Sequence, residues 1–184
     1  MKIMIASDIH GSAFYCEKMI EAYRREKADK LLLLGDILYH GPRNDLPKEY
    51  NPKKVIQMLN DIKEDILCVR GNCDTEVDQM VFPVLAEYCI LYVKDRMIFA
   101  THGHTFNAEH LPMLKAGDIL LNGHFHVPAY RTVGNIIYMN PGSVSIPKED
   151  SEHSYMIMED ETFTWKNLEG DSYKKVSITT MEKE

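Results

Sequence analysis

Leu31-Leu32-Leu33-Leu34-Gly35-Asp36 is the stretch on which the fold turns. Four consecutive leucines suit a strand buried on both faces of a parallel sheet, and the run stops at once on a glycine and a carboxylate. Upstream, residues 3–7 form a short apolar β-type run that stops at Asp8-Ile9-His10-Gly11; downstream, residues 66–69 form another that stops at Arg70-Gly71-Asn72-Cys73-Asp74. A helix is predicted to begin near Ser12, a good N-cap, with Ala13, Cys16, Ile20 and Tyr23 on one face. Asn51-Pro52 supplies a cap and a first-turn proline for a second helix, whose Val55, Leu59 and Ile62 share a face. The first 75 residues therefore read β-α-β-α-β, an open sheet with crossover helices.

The second half reads differently. Residues 88–93 and 97–101, separated by Lys94-Asp95-Arg96, predict a hairpin. Strands are predicted at 119–121 and 136–139, and a C-terminal meander at 155–158, 163–166 and 176–179. At 184 residues, and with no repeat, linker or low-complexity segment, one domain spanning 1–184 is expected. The fold class is α/β, a layered domain with two packed sheets.

The composition, 45% hydrophobic and 27% charged, excludes collagen-like, disordered and disulfide-scaffold classes. No apolar run approaches membrane-spanning length, and the strand-like opening reaches Asp8 too early for a signal peptide, so a cytoplasmic protein without a membrane partner is expected. The four cysteines form no C-x-x-C pair; Cys16, Cys68 and Cys89 sit in apolar stretches and read as reduced core thiols, whereas Cys73 lies between Asn72 and Asp74. The net charge of -7 repels a phosphate backbone, which argues against a stable nucleic-acid complex.

Five polar motifs occur in order, each directly after a predicted strand: Asp8-Ile9-His10-Gly11, Gly35-Asp36, Gly71-Asn72-Cys73-Asp74, Thr101-His102-Gly103-His104 and Gly123-His124-Phe125-His126. In an open α/β sheet, ligands bind in the crevice beyond the carboxyl ends of the strands, so these motifs converge on one site. A D-x-H triplet alone says little, but with 10 Gly and 8 His a G-H-x-H has a chance expectation of only about 0.02, so that motif carries weight. His110 and His153 fall outside the motifs and read as ordinary packing or surface residues. Aspartate, histidine and asparagine make a nitrogen/oxygen donor set suited to Mn²⁺, Fe²⁺, Co²⁺, Ni²⁺ or Zn²⁺. Seven candidates, Asp8, His10, Asp36, Asn72, His102, His124 and His126, are too many for one ion and suit two if a carboxylate bridges them, Asp36 being the obvious bridge.

The ordered set D-x-H, G-D, G-N-x-D, G-H and G-H-x-H resembles the calcineurin-like metallophosphoesterase superfamily. The runs Gly35-Asp36-Ile37-Leu38-Tyr39-His40-Gly41-Pro42-Arg43-Asn44, Val69-Arg70-Gly71-Asn72-Cys73-Asp74 and Asn140-Pro141-Gly142-Ser143-Val144-Ser145-Ile146-Pro147-Lys148 are similar to those of its small bacterial YfcE-type phosphodiesterases. The resemblance implies a four-layer α/β/β/α sandwich of two mixed sheets with a dimetal site at the sheet edge. It puts Asp8, His10, Asp36 and His126 on one divalent ion and Asp36, Asn72, His102 and His124 on the other, with Mn²⁺ the expected metal. The implied reaction is hydrolysis of a small phosphodiester by a metal-bridging hydroxide, with no side-chain nucleophile.

One departure stands out. Many family members carry histidine after the asparagine of G-N-H, usually as the acid that protonates the leaving group, and here Cys73 takes its place. Cys73 reads either as a replacement acid or as a packing residue. His104 is a candidate for substrate contact or proton donation, and His40, Arg43 and Asn44 are candidate substrate-binding residues. Alternatives to the diesterase are a phosphomonoesterase, a short-strand nuclease, or a partner-binding scaffold resembling Vps29; a complete set of seven ligand types favours an enzyme. Relatives of this kind commonly self-associate, so a homo-oligomer is an option, with Met80, Val81 and Phe82 as candidate interface residues.

Overall fold

The computed structural model describes residues 1–76, 78–80 and 86–178. Strand β1 (Lys2–Ala6) leads into helix α1 (Ala13–Glu26), strand β2 (Lys30–Leu33), helix α2 (Pro52–Asn60) and strand β3 (Ile66–Cys68). Then come β4 (Cys89–Val93), β5 (Arg96–Ala100), β6 (Ile119–Leu121), β7 (Ala129–Val133) and β8 (Ile136–Asn140), followed by β9 (Ser154–Glu159), β10 (Thr162–Asn167) and β11 (Ser172–Ser177). Two mixed sheets result, one ordered β11-β10-β9-β1-β2-β3 and the other β4-β5-β6-β8-β7. β1, β2 and β3 pair in parallel, as the crossover reading requires, while β9 runs antiparallel to β1.

Both helices start where side chains can satisfy their free N–H groups. Ser12 Oγ accepts from the Tyr15 N–H at 3.2 Å, and Asn51 Oδ1 accepts from the Lys54 N–H at 3.1 Å with Pro52 in the first turn. α1 buries Ala13, Cys16, Met19, Ile20, Ala22 and Tyr23, and α2 buries Val55 and Leu59, against the outer face of the first sheet. The second core lies between the sheets, with Ile5, Leu32, Ile119, Ile137, Phe163 and Trp165 among its members. The strand alternation is visible in it: Leu31 and Leu33 face the helices, Leu32 and Leu34 the second sheet. Trp165 is fully buried, and its indole N–H donates to the Asn140 carbonyl at 2.7 Å, tying β10 to the end of β8. The outer face of the second sheet is covered by Ala108 and Leu114 of the irregular segment 104–117, which lie on Leu120, Ile136 and Tyr138.

The predicted strands are present, with two differences. β7 was not expected, because Ala129-Tyr130-Arg131-Thr132-Val133 is an edge strand, only half-buried, with no apolar run to mark it. The last strand begins earlier, at Ser172, with Lys174 and Lys175 on the exposed edge; Thr179, expected within it, lies outside the described residues. Val81, Phe82 and the Met80 side chain also lie outside them. All four cysteines are free, with Cys16 and Cys68 buried and Cys73 and Cys89 partly so. No helix among the described residues is long and apolar enough to cross a membrane.

Candidate metal centre

Each motif leaves the sheets at a strand end. Asp8 and His10 follow β1, Asp36 follows β2, Asn72 follows β3, His102 follows β5, and His124 and His126 follow β6. Five of these seven residues hold left-handed backbone conformations: Asp8 (φ 59°), His10 (φ 48°), Asp36 (φ 55°), His124 (φ 66°) and His126 (φ 62°). For residues with a Cβ this region is disfavoured, so surrounding bonds must impose it. They do so densely. The Asp8 and His10 N–H groups donate to the carbonyls of Gly35 and Asp36 at 3.1 and 2.9 Å. The Asp8 carbonyl accepts from both Ser143 Oγ (2.9 Å) and Ser145 Oγ (3.0 Å). The Asp74 carboxylate, only 2% exposed, accepts from the N–H groups of Asp36 (2.7 Å), Ile37 (2.9 Å) and Gly71 (2.7 Å).

Close approach also decides sequence here. A Cβ on Gly123 would lie 1.9 Å from Ser7 Oγ and 3.0 Å from Asp8 Oδ2, so only glycine lets the β6 loop reach the β1 loop.

The side chains converge as two donor groups. In one, His126 Nε2 lies 3.2 Å and His10 Nε2 3.6 Å from Asp8 Oδ1, and the two imidazole nitrogens face each other at 3.3 Å. In the other, His102 Nε2 lies 3.0 Å from Asn72 Oδ1, 3.2 Å from His124 Nδ1 and 3.4 Å from Asp36 Oδ2. Asp36 Oδ2 is also 3.7 Å from His10 Nε2, so it stands between the groups, while its Oδ1 accepts from the Cys73 N–H at 2.8 Å. Asp8, His10 and His126, and likewise Asp36, His102 and His124, offer ligand atoms close enough to hold a cation.

Hydrogen bonding indicates what the site can hold. Nδ1 of His10, His102 and His126 lies 2.8, 2.7 and 2.8 Å from the carbonyls of Tyr39, Leu34 and Ile146. A carbonyl can only accept, so each Nδ1 carries a proton and Nε2 is the nitrogen turned inward, a lone pair whenever the ring is neutral. Those nitrogens face carboxylate and amide oxygens, and buried Asp8 Oδ1 has no hydrogen-bond partner among the described residues. A buried cluster this rich in acceptors is satisfied by protons or by cations, and its nitrogen/oxygen donor set fits divalent metal ions.

The electrostatics agree. Burial would raise the Asp8 carboxyl, but His10 and His126 hold it well below the usual carboxylate range; burial likewise opposes ionisation of Asp36, which His102 holds down. Burial would lower His102, yet Asp36 and Asp8 hold it up at about 9, so the site retains a proton that an arriving cation displaces. His124 is pushed down to about 4 by burial and by His102.

A cleft of about 390 Å³ opens over the donors, lined among others by Arg43, Asn44, Cys73, Phe125 and Lys148. Of the candidate substrate contacts, Arg43 and Asn44 line this cleft, Asn44 Nδ2 also donating to the His40 carbonyl at 2.8 Å. His40 does not line the cleft; its ring packs edge-on against Tyr39 and Tyr50. The exposed His104 ring sits outside the cleft lining, 5.5 Å from His102 and 6.4 Å from His124, and burial together with His102 pushes its pKa down. Cys73 Sγ reaches the site itself, close to ligand atoms of His10 and Asp36, and burial and the Asp36 charge push the thiol up to about 12.

Several functional positions were not assigned from sequence. Asp74 stood in a quoted motif without a role. Lys148 ends another; its N–H donates to the His126 carbonyl at 3.1 Å, so it is registered to a candidate ligand. The serines of Pro141-Gly142-Ser143-Val144-Ser145 signalled a loop, and a contact with β1 could not be read from it.

Two packed mixed sheets carrying carboxylate and imidazole donors at their strand ends define a class, the metal-dependent hydrolases. Residues 1–162 match the calcineurin-like phosphoesterase superfamily domain, and the chain belongs to that superfamily. It is 45% identical over 166 residues to the Escherichia coli K12 protein named Phosphodiesterase YfcE, covering 89% of this chain and 90% of that one. A solved structure of YfcE, described as a phosphoesterase from E. coli, superposes with a TM-score of 0.92 at 42% identity, covering 97% of this chain and all of that one. Zinc-bound Vps29 from Entamoeba histolytica, at 18% identity and a TM-score of 0.66, covers 97% of this chain and all of its own and shares the fold.

Proposed function

We propose that this chain is a metal-dependent phosphodiesterase acting on small phosphodiesters as a single domain over residues 1–184. Asp8, His10, Asp36 and His126 would hold one divalent ion, and Asp36, Asn72, His102 and His124 the other, with Mn²⁺ as the metal. The observation that carries this reading is the position of Asp36 Oδ2 between His102 Nε2 and His10 Nε2, at 3.4 and 3.7 Å, where one carboxylate serves both donor groups. The name of the YfcE relative supports the diester assignment. The four free cysteines agree with a cytoplasmic setting.

When bound, the two ions supply water activation and Lewis-acid stabilisation of phosphoryl charge. The chain's own residues do the rest. The Nδ1–H bonds to backbone carbonyls fix the imidazoles of His10, His102 and His126 with Nε2 turned inward, and Asp74 holds the Asp36 turn. Arg43, Asn44 and Lys148 line the cleft as donors for phosphoryl oxygens, and two bound dications would make the pocket locally positive in an acidic chain. Two groups are assigned to the leaving oxygen. Cys73 Sγ keeps its proton at neutral pH and stands in the cleft, and His104 stands beside the His102 end.

The test is to strip metal with a chelator, restore Mn²⁺, and follow p-nitrophenol from bis-p-nitrophenyl phosphate and from p-nitrophenyl phosphate. Mn²⁺-dependent turnover that favours the diester is expected. Faster turnover of the monoester would replace the reading with a phosphomonoesterase, and no metal-dependent turnover of either would leave a partner-binding scaffold.

A further inference from the structure

Phe125 projects beside the candidate metal centre. It is 43% exposed, on the short link between two candidate ligands, His124 and His126, both in left-handed conformations. Its backbone and its neighbour orient it. The Phe125 N–H donates to the Gly123 carbonyl at 2.7 Å, and its ring meets the His124 ring edge-on, 5.2 Å between centroids at 79°. What sets this ring apart from the other exposed hydrophobic side chains is its place beside the donor groups, where a ligand in the cleft would meet it.

The ring separates two clefts and lines both. One is the cleft over the donor groups; the other, of about 360 Å³, runs away from them between the β6 loop and the edge strand β7. Val127, Ala129 and Tyr138 give this side cleft one apolar side within a mixed lining. Its charged lining residues are Arg131, whose guanidinium lies 5.0 Å over the Tyr138 ring, and two carboxylates, Glu109 and Glu149. Asn107 also borders it, but its amide is spent on its own loop, donating to the Gly103 carbonyl and accepting from the Glu109 and His110 N–H groups.

A phosphoryl group in the first cleft would therefore leave one ester substituent at Phe125, with the side cleft ahead of it. A slot with an aromatic wall, one apolar side, a guanidinium donor and two carboxylate acceptors suits a flat ring with polar, amino-bearing edges. We infer that the side cleft behind Phe125 is a subsite for a flat aromatic ester substituent, a nucleobase in a nucleotide-type diester. Phe125 is the stacking platform and Arg131 the edge contact. This rests on the phosphodiesterase reading for its phosphoryl cleft, but base binding is measurable without turnover.

The test is calorimetric titration of the Mn²⁺-loaded protein with adenosine 5′-phosphate and with ribose 5-phosphate, which differ only by the base. The nucleotide should bind about ten-fold tighter, the scale of one base stacked on one aromatic ring. Phe125→Ala should bring the two dissociation constants to within two-fold by weakening the nucleotide alone. Arg131→Gln, remote from the donor groups, should shrink the ratio with no change for ribose 5-phosphate. Equal affinities in the wild type, or an unchanged ratio in both variants, would overturn the subsite. Equal weakening of both ligands by Phe125→Ala, with Arg131→Gln silent, would overturn it too, since Phe125 would then only support the metal ligands. Failure of turnover with the base preference intact would count against the catalytic reading alone.

Discussion

Asp74 touches no candidate metal position, yet it should be among the most sensitive residues in the chain. Its buried carboxylate accepts three backbone N–H bonds at 2.7, 2.9 and 2.7 Å, and two of them come from Asp36 and Ile37, the turn that forces Asp36 to φ 55°. In Asp74→Asn one oxygen becomes an NH₂ that faces N–H donors, so at least one charge-assisted bond is lost and a buried N–H is left without an acceptor. Each such bond contributes about 1.5–3 kcal/mol and an orphaned buried donor costs about 1–3 kcal/mol. These overlap, so we expect a loss of about 2–3 kcal/mol. For a domain of this length that lowers the melting temperature by about 4–12 °C. The assay is thermal and urea unfolding of the chelator-treated protein, so that metal binding does not mask the change, followed by Mn²⁺ titration. Asp36 held less firmly should also weaken Mn²⁺ binding by at least ten-fold. An Asp74→Asn protein that unfolds like the wild type and binds Mn²⁺ as tightly would refute the claim that this carboxylate holds the Asp36 turn.

Other consequences can be checked alongside. Gly123→Ala puts a Cβ against Ser7 Oγ and Asp8 Oδ2, so turnover should fall at least a hundred-fold, a loss that kinetics on bis-p-nitrophenyl phosphate would read; near-normal kcat would mean that the two loops need not approach so closely. Cys73→His should accelerate diesters of poor leaving groups more than activated ones, read as a steeper gain with leaving-group pKa, and an equal gain on both would make Cys73 a packing residue. Glu26 carries a pH prediction. Burial would raise its pKa, but Lys166 Nζ at 2.6 Å and Tyr155 OH at 2.8 Å hold it lower. A lowered folded pKa gives stability that is present above the unfolded value of about 4.3 and lost as pH falls through the folded value. The stability difference between wild type and Glu26→Gln should therefore be full at pH 7 and vanish in acid; a difference that does not change with pH would contradict it.

Much of this architecture was legible because strand and site signals coincide. Leu31 to Leu34 announces a strand buried on both faces, and the Gly-Asp that ends it is both the turn and the carboxylate. The histidine spacing of Gly123-His124-Phe125-His126 is rare enough to be read alone, and the structure brings all seven candidate donors together. What stayed hidden is set by contacts between distant segments. No local rule puts Asp8, His10 and Asp36 at positive φ; bonds from the β2 loop and from Ser143 and Ser145 do so, more than 130 residues away for the serines. Strand β7 escaped because an edge strand needs no apolar run, although Gly134-Asn135, the turn into β8, was a usable signal. Phe125 and Lys148 looked like loop residues until two clefts met at the one and a bond to His126 registered the other.

The central claim is that two divalent ions share Asp36, and Mn²⁺ titration of the metal-free protein followed by electron paramagnetic resonance tests it most directly. The account predicts two Mn²⁺ per chain with a spin-coupled signal, and loss of both tightly bound ions together in Asp36→Ala. A single uncoupled ion in the wild type, or two tightly bound ions retained in Asp36→Ala, would contradict it.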